Sequence, residues 1–234
     1  MKLSLRQAAG YLNVDESTVR RWIAERGLPV HRVDERLHLN AIEVWEWAVE
    51  QGLPASRSLL QDARRSPEPT PLLSRLLEVG GVHRDSSGTT KDAVLADLVR
   101  QLPLPQEVDR EHLLAILEAR EAMGSTGIGE GIAIPHVRNP VLLHVEQPFV
   151  SLFLLRHPVD FDSIDGQPVH AIFVLVTSSV PEHLRILAEL SFVLHDTRLR
   201  DLLRDRAPTP QLLARVRELE VLTTGQFAVR SRPA

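Results

Sequence analysis

Apolar residues fall at helical spacing through most of the chain and run together as strands in only a few places. Ser4 followed by Gln7 forms a capping box, and Leu5, Ala8, Ala9 and Leu12 line the short helix it opens. Asn13-Val14 makes a tight turn. Asp15 then caps a second helix, from about Glu16 to Arg26, which Gly27 and Pro29 stop. On that helix Val19, Trp22 and Ile23 share one face. Ser17, Arg21 and Ala24 point the other way, with Thr18 and Arg20 on the flanks. Val30 to Val33 and Arg36 to Leu39 flank Asp34-Glu35 as a small hairpin. Asn40 with Glu43 caps a third helix bearing Ile42, Val44, Trp45, Trp47 and Ala48. Residues 1–53 therefore read as a helix-turn-helix with a wing, its tryptophans in the core rather than at a dimer seam.

Residues 54–71 break the pattern. Pro54, Ser56, Ser58, Ser66, Pro67, Pro69, Thr70 and Pro71 make this an exposed linker, with Arg57, Arg64 and Arg65 between them. Periodicity resumes over 72–225. Leu72, Leu73, Leu76 and Leu77 predict a helix ending near Gly80-Gly81. Thr90 and Asp109 open two more, the second running to Met123. Pro148 to Leu155 and Val169 to Val176 are nearly continuous apolar runs, as central strands require. Between them Val159 to Phe161 and Ile164 to Gly166 predict a turn with a short edge strand. Pro181 marks a helix start, and two short helices follow from about Arg198 and Thr209. The expected fold class is α/β, a mixed sheet flanked by helices, with residues 226–234 as a tail.

Composition narrows the classes. The 234 residues carry a net charge of -4 and no cysteine, which excludes disulfides, thiolate metal sites and a uniformly basic nucleic-acid coat. No apolar run approaches the ~20 residues that span a bilayer, so a cytoplasmic protein without membrane insertion is expected.

The densest chemistry lies at Gly124-Ser125-Thr126-Gly127-Ile128-Gly129-Glu130-Gly131-Ile132-Ala133-Ile134-Pro135-His136. Glycines let backbone N–H groups approach an anion. Ile132-Ala133-Ile134 suits a short buried strand that Pro135 ends, delivering His136 to the rim of a sheet. An imidazole there can accept and release a group near neutral pH. No Gly-Lys-Ser/Thr follows the glycines, so a P-loop is not supported. His136, His170 and His183 lack metal-motif spacing, and no metal or cofactor is expected.

Two resemblances sharpen these expectations. Leu5-x-x-Ala8-Ala9-x-x-Leu12-x-Val14, Ser17 to Trp22, Leu28-Pro29 and Trp45-x-Trp47-Ala48 make residues 1–50 similar to the excisionase-like, MerR-type winged helix-turn-helix family. That likeness implies that Ser17, Thr18, Arg20 and Arg21 face a major groove and that Arg32 and Arg36 touch phosphates. Residues 1–36 hold seven Lys/Arg against five Asp/Glu, and Glu43, Glu46 and Glu50 follow. So near-neutral a segment binds DNA weakly as one copy, and a homodimer on paired half-sites is expected. A helical protein-interaction module is the other reading of the same pattern.

From about Leu72 to Leu222 the chain resembles enzyme IIA of the bacterial phosphotransferase system, in its fructose/mannitol/nitrogen branch. The likeness rests on Arg120-Glu121-Ala122-x-Gly124 through His136, on Val159-Asp160-Phe161, on Asp165 to Val169 and on Glu182-His183-Leu184. It implies that His136 takes a phosphoryl group from an HPr-type phosphocarrier, with Arg120 and His183 flanking the site. On this reading His136 is the nucleophile and Arg120 offers a guanidinium fork to the equatorial oxygens. Ser125, Thr126, Gly127, Gly129 and Gly131 form the phosphate-binding loop, and His183 donates a further hydrogen bond. Which ring nitrogen of His136 reacts stays open. Val137 stands where the family commonly has a small residue, and its β-branch is expected to narrow access; Arg138 follows as an aid to phosphate or partner.

Three functions fit. The chain is a regulator whose IIA-like domain senses carrier phosphorylation while the helix-turn-helix binds DNA. Alternatively it is a phosphocarrier component feeding a sugar-transport IIB protein, or a non-catalytic IIA-like binding module.

Overall fold

The cap at Ser4 starts the first helix as its sequence requires. Ser4 N–H donates to Gln7 Oε1 at 2.9 Å and Gln7 N–H returns to Ser4 Oγ at 3.3 Å, opening α1 (Leu5–Leu12). Asn13 closes it in the left-handed region at φ 54°, which asparagine tolerates. Asp15 accepts from Thr18 N–H at 2.7 Å and opens α2 (Glu16–Glu25). The computed structural model describes residues 2–33, 36–51, 53, 72–84, 86–137 and 147–228, with backbone alone at 33, 36, 49–50 and 222–228. The expected linker, the hairpin tip Asp34-Glu35 and Arg138 lie outside the described residues.

Two compact units emerge, Met1–Pro69 with Ser179–Ser191, and Thr70–Ser178 with Phe192–Ala234. In the first, the hairpin strands β2 (His31–Val33) and β3 (Arg36–Asn40) form as expected. A strand not foreseen, β1 (Lys2–Leu3), pairs antiparallel with β3 to give the order β1-β3-β2. Two residues carry no readable period. Asn40 Oδ1 accepts from Ile42 N–H at 3.0 Å at the start of α3 (Ala41–Glu50). Glu43, expected in that cap, lies 2.6 Å from His31 Nε2 of the hairpin. Trp22, Trp45 and Trp47 are all buried, and the rings of Trp22 and Trp47 meet at 5.2 Å. Trp47 Nε1 donates to Arg26 O at 3.0 Å. These rings are core.

The second unit holds a five-stranded mixed sheet of order β4-β7-β8-β6-β5, from β4 (Val82–His83), β5 (Gly127–Gly129), β6 (Ile132–Ala133), β7 (Phe149–Val159) and β8 (Val169–Val176). β7 and β8 pair antiparallel at the centre, while β4 runs parallel to β7 and β6 parallel to β8. The apolar runs are buried on both faces, so they show no alternation. Phe149, Phe153 and Leu155 of β7, with Ile172, Val174 and Val176 of β8, share one core with α5 (Lys91–Gln101) and α6 (Arg110–Ala122). Against the sheet's other face lie α4 (Leu73–Gly80), packed on β7, and α8 (Thr197–Arg204), packed on β8. α9 (Thr209–Ala228) packs on both of those helices.

Two expectations change here. β7 continues through Val159 with a register shift, so the segment to Gly166 holds no separate edge strand. α9 is 20 residues long and runs to Ala228, past the expected tail boundary. α4 has no side-chain cap of its own at Leu72. Glu220 of α9 supplies one, accepting from Ser74 N–H and Ser74 Oγ at 2.7 Å each, across 146 residues of sequence. The helix α7 (Val180–Val193) begins at the expected proline.

Candidate functional site

The glycine-rich stretch is a β-hairpin. β5 and β6 pair antiparallel, and Gly129 (φ 92°), Glu130 (φ 55°) and Gly131 (φ 70°) turn the chain between them. Gly131 is required twice over. Its φ is left-handed, and a Cβ there would lie 2.2 Å from His170 Nδ1. Asp165 secures the turn, accepting from Glu130 N–H at 2.7 Å and from Gln167 N–H at 3.1 Å. The root of the hairpin is held by Ser125, whose hydroxyl donates to Phe161 O and accepts from Gly127 N–H at 2.9 Å. Thr126 N–H and its hydroxyl both donate to the Glu121 carboxylate. Two N–H groups expected to face an anion, those of Thr126 and Gly127, thus have protein acceptors, as does the N–H of Glu130 at the turn.

Pro135 interrupts the strand rather than ending it. Ile132 pairs with Ala171 and Ala133 with Ile172, and His136 rejoins the same parallel register opposite Leu175. His136 therefore sits at the carboxyl ends of two parallel strands, where α/β sheets commonly place their sites. It is 2% exposed, well inside the rim position expected for it. Its Nδ1 lies 2.6 Å from Ile134 O. A carbonyl oxygen only accepts, so Nδ1 carries the proton, and in the neutral ring the lone pair belongs to Nε2.

Val137 turns into the core. It is buried with Ala133, Ile172 and Val174 in the cluster shared with α5 and α6.

Arg120 and Glu121 occupy the last turn of α6, and both are buried. Arg120 Nη1 donates to Gly124 O at 2.7 Å, tying the helix end to the start of the hairpin. Lys91 Nζ reaches Asp162 Oδ2 at 2.7 Å and Glu121 Oε1 at 3.7 Å. Burial pulls the Lys91 ammonium down, but the hydrogen bond to Asp162 and the charge of Glu121 outweigh it and hold it above its ordinary value. His183 lies in the first turn of α7, fully buried, with its N–H bonded to Ser179 O at 3.0 Å; it belongs to the other unit. His170 is pushed below the usual histidine range by burial and by Arg204, and its buried Nε2 has no partner among the described residues. No group of three or more His, Asp or Glu side chains that could hold a metal occurs among the described residues.

In the first unit, Ser17, Arg20 and Arg21 are exposed on α2 and Thr18 is half-buried, while Val19 and Trp22 face inward. Arg32 is exposed on β2. Arg36 pairs through its backbone with Val33, and its side chain is not among those described.

The sequence motifs include Glu121 and Asp165 but give them no role; these two carboxylates hold the hairpin. The signal was present: a glutamate beside Arg120 with a threonine five residues on, and an aspartate within the Asp165-Gly166-Gln167 turn.

Known proteins match the chain over a stretch that includes this hairpin and the mixed sheet. The family described as phosphoenolpyruvate-dependent sugar phosphotransferase system, EIIA 2 matches residues 75–218. A nitrogen regulatory protein from Pseudomonas aeruginosa is 39% identical over 150 residues, 62% of this chain and 93% of that protein. The crystal structure of nitrogen regulatory protein IIA-Ntr from Neisseria meningitidis superimposes with TM-score 0.50 at 30% identity, covering 58% of this chain and 91% of that one. A PTS IIA domain from Streptococcus pyogenes M1 GAS, at 20% identity and TM-score 0.54, shares the fold over 64% of this chain and 97% of its own. With the hairpin, its histidine and the mixed sheet all inside the matched residues, the chain belongs to the phosphoenolpyruvate-dependent sugar phosphotransferase system, EIIA 2 family.

Proposed function

We propose that His136 accepts a phosphoryl group from an HPr-type phosphocarrier and that residues 1–53 form a winged helix-turn-helix that binds DNA, so that the chain acts as a regulator. The observation that carries the first half is the bond from His136 Nδ1–H to Ile134 O, which leaves the reactive lone pair on Nε2. Nε2 attacks phosphorus in line. A bond from Nε2 to phosphorus forms as the bond from the carrier's histidine breaks, and the electron pair returns to the carrier ring. The His136 ring gains positive charge, and the Ile134 carbonyl stabilises it through the retained Nδ1–H. Histidine to histidine transfer needs no metal. Arg120 supplies positive charge to the equatorial oxygens, and His183 keeps the flanking role that the family likeness implies. Ser125, Thr126, Gly127, Gly129 and Gly131 serve chiefly to build the hairpin, because the polar groups of Ser125 and Thr126 and the N–H of Gly127 already have protein partners.

Labelling with phosphoenolpyruvate, enzyme I and an HPr-type carrier tests the site. Acid-labile label is expected on the native protein and absent from His136→Ala. Retained label in that variant overturns the site; no label on the native protein favours a non-catalytic binding module.

The exposed Ser17, Arg20 and Arg21 on α2, with Val19 and Trp22 turned inward, support the DNA half. The segment's near-neutral charge calls for a homodimer on paired half-sites. A phosphate adds about -1.5 to -2 charge, enough to alter docking or dimerisation. No helix among the described residues is long and apolar enough to cross a membrane. A low-salt gel shift that is absent, or unchanged by Arg20→Ala and Arg21→Ala, leaves the phosphocarrier role as the surviving reading.

A further inference from the structure

Phosphoryl acceptance by His136 uses Ile134 O but does not explain what keeps that carbonyl in place. Pro135 removes one ladder donor beside it, so the Ile134 peptide is not held by an unbroken strand. The N–H of Ile134, on the peptide just before that carbonyl, donates to Thr126 O at 3.0 Å. Thr126 is in turn fixed at both ends of its residue. Its N–H lies 3.1 and 3.3 Å from the two Glu121 oxygens, and its hydroxyl donates to Oε2 at 2.6 Å. Glu121 is 5% exposed, and buried carboxylates are rare unless paired. Lys91 at 3.7 Å supplies the opposite charge, itself anchored on Asp162. The run from Lys91 through Glu121, Thr126 and Ile134 to His136 Nδ1 is continuous.

We infer that Glu121 and Thr126 are positioning residues that hold the Ile134 carbonyl against His136 Nδ1–H and so select the ring tautomer with its lone pair on Nε2. A bond to a buried carboxylate is among the stronger hydrogen bonds, and loosening the carbonyl by a fraction of an ångström weakens the 2.6 Å contact that selects the tautomer. The consequence for rate rests on the proposed phosphoryl acceptance; the tautomer itself does not.

The test reads the ring directly. In uniformly 15N-labelled protein, long-range proton–nitrogen correlation of His136 is expected to show a protonated Nδ1 and an unprotonated Nε2. Thr126→Val removes the hydroxyl at nearly constant volume. It is expected to mix the two tautomers and to slow phosphoryl acceptance about tenfold, as loss of one charge-assisted bond predicts. Thr126→Ser is expected to restore both, and Glu121→Gln, which keeps size and removes charge, to act as Thr126→Val does. A folded Thr126→Val protein that keeps a single Nδ1–H ring overturns the inference, as does slowed transfer with an unchanged ring spectrum in both variants. Because the spectrum is taken on unphosphorylated protein, failure of the native protein to take label strikes the proposed function and leaves this result readable.

Discussion

His136 rejoins the sheet opposite Leu175 after Pro135 has broken the ladder, and its Nδ1 points back at the carbonyl of Ile134. The proline thus has a chemical effect. It takes the strand out of regular pairing for long enough that a backbone carbonyl can serve the imidazole instead of a neighbouring strand. The reactive nitrogen follows from that geometry. Phosphate is expected on Nε2, and separation of the two phosphohistidine isomers after alkaline digestion of labelled protein checks it. Recovery of the Nδ1 isomer would show that the ring turns over before transfer.

Gly80 is required by close approach rather than by φ. It ends α4, and a Cβ there would stand 2.2 Å from Val150 O and 2.8 Å from Ser151 N, both backbone atoms of the central strand. Its carbonyl also receives Ser151 Oγ at 2.7 Å and lies 2.9 Å from His83 Nε2. Gly80→Ala is expected to cost about 2–3 kcal/mol, because α4 must lift from β7. Gly10 makes the contrast: it lies within α1 and a Cβ there meets nothing within 4 Å. Gly10→Ala is expected to gain about 0.5–1 kcal/mol. Urea midpoints at unchanged slope measure both, and equal effects would refute the packing argument.

Asp196 caps α8 through Leu199 N–H at 2.8 Å and grips Arg215 of α9 with both oxygens, at 2.9 and 2.6 Å. The Arg215 guanidinium, more than the cap, holds its carboxyl below the ordinary value of 3.8, against some opposition from burial. A depressed folded pKa means that the stabilisation is complete above about pH 4 and is lost as pH falls through the lower, folded value. Asp196→Asn keeps a good cap and removes the charge. Its deficit is expected to be about 1 kcal/mol at pH 7 and to shrink towards zero in stronger acid. Chemical denaturation of both proteins across that range decides it; a deficit independent of pH would assign the loss to something other than the ion pair.

If α2 lies in a groove, Arg20 and Arg21 contribute differently from its buried face. Each arginine that neutralises a phosphate steepens the dependence of log affinity on log salt by about one. Arg20→Ala and Arg21→Ala are each expected to flatten that slope by about one per protomer and to weaken binding. Fluorescence anisotropy over a salt series measures it, and an unchanged slope would argue against phosphate contact.

The helices were legible because their signals are local. Ser4, Asp15, Thr90 and Asp109 each cap the helix they were expected to cap. A side-chain oxygen bonding an N–H three residues ahead depends on nothing remote. The central strands were legible because burial on both faces leaves a long apolar run. β1, β4 and β5 were not, since two or three residues hold no period and exist as strands only through their partners. The cap that Glu220 gives α4 was equally hidden, because the two groups meet only after the chain has folded.

By itself the sequence determined the α/β class, the mixed sheet between helices, and the glycine-rich stretch with the histidine at its end. These rest on short-range sterics, capping and apolar patterning. The tertiary structure alone decided which nitrogen of His136 carries the proton, where Val137 turns, and what Glu121 and Asp165 hold. Each of those depends on a carbonyl, a core or an N–H brought within about 3 Å by the packing of separate elements, and no spacing along the chain encodes such a distance.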